Sequence, residues 1–357
     1  MTNLERLQQR IASSELDAVL LVNSDNRFFA TGFRSSAGAV VVTADKAWFI
    51  TDSRYIEAAT RYADGRYNVV LNTNEKTIND WIVELIKQEN IKTLGGESAR
   101  LSYEEFVAYE ELVGMKMFGC QNMLDELRAQ KSEEEIDIMR KAQEITDHAF
   151  THILTILRPG ISEQAVAAEL VYSMMKEGAE RMSFDPIVVS GVRSSMPHGV
   201  PSDKLIEEGD FVTMDFGCMY HGYCSDMTRT VAIGYATDEM KDVYNTVLKA
   251  QLTGISITKA GIPGKAIDQA ARDVITEAGY GEYFGHGYGH CLGLEVHEPP
   301  YASPKGEALM PANCVCSAEP GIYIPGKFGV RIEDAVIIRE GGHEVLAKSP
   351  KELIIVE

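Results

Sequence analysis

Phe211-Val-Thr-Met-Asp-Phe-Gly-Cys-Met-Tyr-His-Gly-Tyr-Cys-Ser-Asp-Met-Thr-Arg-Thr230 is the stretch from which the fold is read. Both flanks alternate with the period of a strand, and His221-Gly222 between them is a turn signal. A hairpin centred between Tyr220 and His221 pairs Asp215 with Asp226, their Cβ atoms about 5 Å apart on one face. Opposed carboxylates repel unless a cation lies between them or one takes a proton. On this stretch alone, a solvated surface pair and a metal site explain the pattern equally well.

Downstream lies Gly285-His-Gly-Tyr-Gly-His-Cys-Leu-Gly-Leu-Glu-Val-His-Glu-Pro-Pro300, with three of the chain's eight histidines. Its glycines break any helix, so it is not a zincin, which needs two histidines one helical turn apart. No three of those glycines take the GxGxxG spacing of a dinucleotide fingerprint either. Asp215-Phe-Gly mimics a kinase magnesium motif, yet no HRD or Gly-rich loop accompanies it. Glu319 sits in Ser317-Ala-Glu-Pro-Gly-Ile-Tyr-Ile-Pro325, between an apolar stretch and a Pro-Gly turn. Glu333 sits in the strand pattern Phe328-Gly-Val-Arg-Ile-Glu-Asp-Ala-Val-Ile-Ile338. On a period of two, Arg331 and Glu333 share a face, so Arg331 is expected to orient the Glu333 carboxylate. Asp334 points the other way and reads as a solvated or capping residue.

Around these motifs the chain repeats itself. Sliding it by 101 positions brings Ala149 onto Ala250, Ile156 onto Ile257 and Gly160-Ile161 onto Gly261-Ile262. The same shift brings Ala165-Val166 onto Ala266-Ile267 and Gly178 onto Gly279. Each copy reads as a helix, a glycine turn and a second helix closed by a C-terminal glycine. Such a duplication makes a pseudo-two-fold domain, and ligands commonly sit where two halves meet. Ser132-Glu-Glu-Glu135 is a capping box that opens the first long helix, so the break before this part is placed at residues 125–131. The preceding residues alternate helix and strand patterns: helices near 4–13, 55–62, 77–88 and 103–112, and strands near 18–22 and 68–71. Residues 37–43 and 47–51 read as a hairpin. This α/β unit shows no catalytic cluster.

The 357 residues suit about two domains of roughly 150 residues. Thirty-four basic against 53 acidic side chains give a net charge of −19, which argues against nucleic-acid binding and docking on anionic lipid. The N-terminus lacks the apolar segment of a signal peptide, and no apolar run is long enough to span a bilayer. Six cysteines without a CxxC pair read as reduced thiols of a cytoplasmic protein.

Taken together, the motifs resemble the pita-bread metallopeptidases: Xaa-Pro dipeptidase (prolidase), aminopeptidase P, methionine aminopeptidase and the metal-free creatinases. The motifs are Met214-Asp-Phe-Gly217, Ser225-Asp-Met-Thr-Arg-Thr230, His286-Gly-Tyr-Gly-His290, Leu294-Glu-Val-His-Glu298, Ala318-Glu-Pro-Gly-Ile-Tyr323 and Val330-Arg-Ile-Glu-Asp334, joined by Pro197-His-Gly-Val-Pro-Ser-Asp203. The fold implied is α+β. A smaller creatinase-type N-terminal α/β domain over residues 1–128 precedes a pita-bread catalytic domain with an internal pseudo-two-fold repeat over 129–357. Asp52-Ser-Arg-Tyr55 matches the pattern of that N-terminal domain and is given no catalytic role.

The resemblance implies that Asp215, Asp226, His290, Glu319 and Glu333 hold two divalent metal ions. Asp226 and Glu333 would bridge the two, Asp215 would bind one, and His290 and Glu319 the other. Four carboxylates and one imidazole form a hard set suited to manganese, with cobalt, iron or zinc also accommodated. Creatinases lack these ligands and methionine aminopeptidases lack the N-terminal domain, which leaves the Xaa-Pro branch. There Glu319 would shuttle a proton, His198 and His297 would contact the substrate and stabilise the tetrahedral intermediate, and His286 would stand behind them. His198 and His297 occupy similar places in the two halves.

The implied activity is hydrolysis of the bond before proline at the N-terminus of peptides. Strict dipeptidases often carry an arginine shortly after the His-Glu-x-Pro segment to grip the free carboxylate. Tyr301 stands there, which turns the expectation towards an aminopeptidase P-like enzyme, with a strict dipeptidase as the alternative and a non-catalytic peptide-binding module as the third reading. A homodimer is also implied.

Overall fold

Ala18–Leu21, Ala39–Thr43 and Ala47–Thr51 are buried at every position, which is why they read as unbroken apolar runs. Alternation divides those runs between two cores. Val19, Leu21, Val40, Val42 and Phe49 join Leu7 and Ile11 on one face, while Leu20, Val41, Trp48 and Ile50 join Ile82 and Leu85 on the other. They belong to the first unit of the computed structural model, which describes residues 1–357 as two units, Met1–Arg128 and Ala129–Glu357.

The first unit is a six-stranded sheet in the order Asn68–Leu71, Ala47–Thr51, Ala39–Thr43, Ala18–Leu21, Leu94–Gly96, Met117–Gly119. The central strands are antiparallel and the flanking pairs parallel. Asn3–Ala12, Ile56–Ala63, Ile78–Gln88 and Tyr103–Val113 are helices where the periodicity predicts them. Four further elements are not among the predicted ones: helices Ser24–Thr31 and Gln121–Ala129, and strands Leu94–Gly96 and Met117–Gly119. Leu94-Gly-Gly is a poor strand by composition. Its glycines are used for close packing, since a Cβ on Gly96 would lie 2.2 Å from Met117 Cε. The break expected at residues 125–131 is occupied largely by the helix Gln121–Ala129.

The second unit carries the repeat. Shifting by 101 carries the helix Glu163–Lys176 onto Gly264–Glu277 residue for residue. Each follows a longer helix, Glu133–Leu154 in one half and Asp238–Ile257 in the other. Ser132 and Glu135 form the capping box at the first of these. Gly160 and Gly261 both have positive φ (86° and 81°), as do Gly178 and Gly279 (100° and 88°), the left-handed turns that glycine enters freely. The Gly160 amide donates to Ile206 O at 2.8 Å and that of Gly261 to Met310 O at 2.9 Å, so the turns are tied down alike.

Behind each helix pair lies a sheet. One runs Ile355–Val356, Met227–Ile233, Phe211–Phe216, Ile187–Ser190, and the other Glu298–Ala302, Gly289–Cys291, Val315–Ala318, Asp334–Arg339, Gly342–Val345. Two cores fill the spaces between helices and sheets, one around Ile145, Phe150, Val188 and Met214, the other around Tyr244, Ile267, Cys316 and Val336. No helix is long and apolar enough to cross a membrane.

The register of the deciding hairpin differs from expectation. Asp215 pairs with Thr228 and Phe216 with Met227, so the turn is centred between His221 and Gly222. Both turn residues have positive φ, 43° and 84°, as a two-residue hairpin turn with the twist of its strands requires. Asp226 therefore lies diagonally from Asp215 and not directly opposite it.

Candidate metal centre

Asp215 is the penultimate residue of Phe211–Phe216, and Asp226 immediately precedes Met227–Ile233. In the other half, Glu319 follows Val315–Ala318 and Glu333 immediately precedes Asp334–Arg339. The repeat thus delivers one carboxylate from each of four corresponding strand ends. His290 comes from the strand Gly289–Cys291. Its neighbour Gly289 has no room for a side chain, because a Cβ there would lie 2.0 Å from Ser317 O.

All five side chains line one cavity of roughly 940 Å³. Ligand atoms of Asp226, His290 and Glu333 lie within 4.8 Å of one another. His290 Nε2 is 3.1 Å from Glu319 Oε1 and 3.6 Å from Asp226 Oδ2. Asp215 joins through Arg331, whose Nη2 donates to Asp215 Oδ2 at 2.6 Å. His290 Nδ1 is 3.2 Å from Cys291 O, an acceptor, so Nδ1 carries a proton and Nε2 faces the carboxylates. Ser317 fixes the local geometry, donating to Glu319 Oε1 at 2.9 Å and accepting from the His290 amide at 3.0 Å.

The electrostatics ask for a cation. Were all four of these buried or half-buried carboxyls ionised, Arg331 and His290 as their positive partners would leave two negative charges in excess. Burial, followed by the charge of Asp215, pushes the Asp226 carboxyl well above the usual carboxylate range. Burial and the Asp226 charge do the same to Glu333. Burial also raises Asp215, and Arg331 offsets part of the rise. For His290 and Glu319, burial is outweighed by their mutual hydrogen bond and charges, which place the imidazole at about 9 and the carboxyl at about 2. Asp215 Oδ1 and Glu333 Oε1 are buried without a hydrogen-bond partner. Orphaned carboxylate oxygens beside an imidazole nitrogen, in a pocket with surplus negative charge, fit a divalent metal. Its binding would displace the His290 proton.

His198, His286 and His297 stand on the walls of the same cavity. The His297 ring meets His290 edge-on with centroids 4.3 Å apart. Burial holds the imidazoles of His286 and His297 below their usual range. His286 Nδ1 is 2.8 Å from Gly287 O, so Nε2 accepts from the Tyr323 hydroxyl at 3.0 Å.

Two sequence expectations are corrected. Arg331 orients Asp215, not Glu333, because the strand Phe328–Arg331 ends before Glu333 and the period-two argument stops with it. Glu333 is held by Thr228, which no motif argument singled out. Asp334 is neither solvated nor a cap: it is fully buried and bonded to Arg229 Nη2 at 2.8 Å and Gln251 Nε2 at 3.0 Å, with Lys351 Nζ at 2.5 Å. Tyr323 was also missed, although its hydroxyl accepts from Arg331 Nη1 at 2.8 Å. The signal for Thr228 was its place two residues after Asp226 in an alternating strand.

Residues 137–340 match the model of metallopeptidase family M24, and residues 3–130 that of the creatinase/prolidase N-terminal domain. A peptidase of Bacillus subtilis (strain 168), YqhT, is 45% identical over 354 residues, covering 99% of each chain. Among solved structures, an Xaa-Pro dipeptidase from Bacillus anthracis is similar at a TM-score of 0.94 and 45% identity, covering 99% of each chain. An X-Pro aminopeptidase from Thermotoga maritima MSB8 gives 0.92 and 40%, covering 100% of each.

Proposed function

The chain belongs to metallopeptidase family M24, and within it we propose an aminopeptidase P-like exopeptidase that removes the first residue from peptides with proline second. One observation carries the choice of branch. The only lysine or arginine on the cavity wall is Arg331, which is buried and already bonded to Asp215, Thr228, Tyr323 and Pro197. The free carboxylate of an Xaa-Pro dipeptide would need an uncommitted cation close to the scissile bond. A longer peptide carries its carboxylate out of the pocket. Tyr301, half exposed on the wall, offers that peptide an apolar contact.

In this reading Asp215, Asp226, His290, Glu319 and Glu333 hold two divalent ions, manganese foremost. When bound, the ions supply Lewis acidity that polarises the scissile carbonyl and acidifies water. Glu319 takes the proton of the attacking water and passes it to the leaving nitrogen. His198 and His297 donate to the carbonyl oxygen as negative charge grows there. His286, fixed by Tyr323, stands behind them. Phe184, Ile187 and Val296 give the proline ring an apolar surface from which water is excluded. The six cysteines are free, in keeping with a cytoplasmic enzyme, and the homodimer rests on family resemblance.

The test is hydrolysis of Xaa-Pro and Xaa-Pro-Yaa-Zaa by metal-stripped protein, with and without added manganese. Metal-dependent turnover that favours the tetrapeptide is expected. Turnover of the dipeptide alone would make it a strict Xaa-Pro dipeptidase, the name carried by the Bacillus anthracis relative. No turnover of either with metal bound would favour the peptide-binding reading.

A further inference from the structure

Glu163 opens the helix Glu163–Lys176, where a carboxylate complements the helix dipole and usually faces water. Here it is turned inward and fully buried. Glu163 Oε1 accepts from the Ser190 amide at 2.7 Å and the Ser190 hydroxyl at 3.0 Å. Oε2 accepts from Arg193 Nε at 3.0 Å, the Ser202 amide at 3.0 Å and the Ser202 hydroxyl at 2.7 Å. Arg193 in turn donates to Val200 O at 2.7 Å. One carboxylate therefore closes the base of the loop formed by residues 191–201, gripping both of its roots.

That loop carries His198 on the cavity wall. Its own bonds lead to the metal centre: Arg331 Nη1 donates to Pro197 O at 3.2 Å while Nη2 holds Asp215. The Gly329 amide donates to Ser194 Oγ at 2.9 Å. A side chain gripped at its loop roots and at one neighbouring carbonyl has little freedom to drift.

The second half shows that the helix itself does not demand this carboxylate. The 101-residue shift puts Gly264 at the corresponding place, where a Cβ would lie 2.1 Å from Tyr301 O. There Asp268 does the tying, one turn later. It accepts from the Tyr288 amide at 2.9 Å and pairs with Arg272, which donates to Phe284 O at 2.9 Å and His286 O at 2.7 Å. Each half thus anchors a histidine-bearing loop by a buried acid, but at a different helical position.

We propose that Glu163 is a positioning residue, setting the place of His198 over the metal centre. This rests on the role given to His198 above. The test is a double-variant cycle of Glu163→Gln with His198→Ala in the manganese-loaded full chain. Glutamine keeps the shape but turns one acceptor into a donor facing N–H and O–H donors. Glu163→Gln is expected to lower kcat/KM on an Xaa-Pro tetrapeptide by about 10- to 100-fold, the cost of a misplacement near 1 Å. In the His198→Ala background the same change is expected to cost less than about twofold, because residues acting through one group are not additive. Manganese affinity stays the same in both, and amide exchange across residues 191–201 quickens while that of the helix Glu133–Leu154 does not. Full additivity of the two changes, or an unaltered rate with unaltered loop exchange, would overturn the proposal. If Glu163→Gln does not fold, Ser202→Ala serves in its place, with a loss of about threefold expected that again vanishes without His198. If the wild type binds Xaa-Pro peptides without turnover, the functional reading falls, and the same cycle is read in calorimetric peptide affinity, where non-additivity supports the role of Glu163 and additivity removes it.

Discussion

Thr228 Oγ1 donates to Glu333 Oε2 at 2.6 Å while accepting from Arg331 Nε at 3.0 Å. The hydroxyl thus engages one oxygen of Glu333 and leaves the other, Oε1, free of any hydrogen bond. It also links the two ends of the carboxylate cluster, since Arg331 holds Asp215.

Thr228→Val keeps the shape and removes that bond. Partners that orient metal ligands are worth about 10- to 100-fold in affinity, and a loss of that size is expected for manganese. The melting temperature should fall too, because a buried acceptor and a guanidinium N–H lose a partner, at about 1–3 kcal/mol. Thr228→Ser should restore both. Calorimetric titration with manganese checks this, and unchanged affinity in the valine variant would remove Thr228 from the site.

Asp226→Asn tests the charge argument with opposite signs for two observables. Burial, and after it the neighbouring Asp215 and Glu319 carboxylates, disfavour a charge on Asp226 and raise its carboxyl. Without metal, the amide should therefore stabilise the protein relative to the wild type. With manganese, the gain in melting temperature should shrink sharply, because a ligand that binds only the folded state stabilises through its affinity. Thermal melts of both proteins with and without metal give all four values. A metal-free variant less stable than metal-free wild type would contradict the reading.

Asp334→Ala should destabilise the catalytic unit by about 3–5 kcal/mol, since it leaves Arg229 buried without its carboxylate. Chemical denaturation followed by far-UV circular dichroism measures it. A change under about 1 kcal/mol would mean that Lys351 and Arg229 find other partners.

The fate of Asp334 marks where the sequence stopped being legible. Strand patterning was enough for Ala18–Leu21, Ala39–Thr43, Ala47–Thr51 and Asn68–Leu71, but not for Leu94–Gly96 and Met117–Gly119, which are three residues long and contain glycine. The capping box at Ser132 and the 101-residue shift placed the helices of the second unit, because those signals are local. The five candidate ligands, which line one cavity, could be picked out because each sits in its own short motif. Their mutual contacts could not. Arg331 was assigned to the nearer carboxylate by periodicity, but the strand ends at Arg331, and its true partner Asp215 lies in another strand. Asp334 looked solvated because Arg229 and Gln251 are distant in sequence. Moving the turn from Tyr220-His221 to His221-Gly222 took positive φ at a histidine, which composition does not announce.

Tyr301→Arg tests the branch directly. The residue is partly exposed on the wall of the cavity that holds the carboxylate cluster, in the segment that follows His297. The wild-type wall has no uncommitted cation, so a guanidinium at this position would add one able to take the free carboxylate of a dipeptide through charge-assisted hydrogen bonds. Such bonds contribute about 1.5–3 kcal/mol, which corresponds to roughly tenfold or more in relative specificity. The ratio of kcat/KM for Xaa-Pro to that for Xaa-Pro-Yaa-Zaa should rise by about that factor. The gain should come from a lower KM for the dipeptide, because the carboxylate lies away from the reacting carbonyl and is bound alike in ground and transition states. Metal content should not change, since Tyr301 is not a ligand. If the wild type already prefers the dipeptide and the arginine leaves the ratio unmoved, the carboxylate is gripped elsewhere, and the aminopeptidase P-like reading loses the observation that carries it.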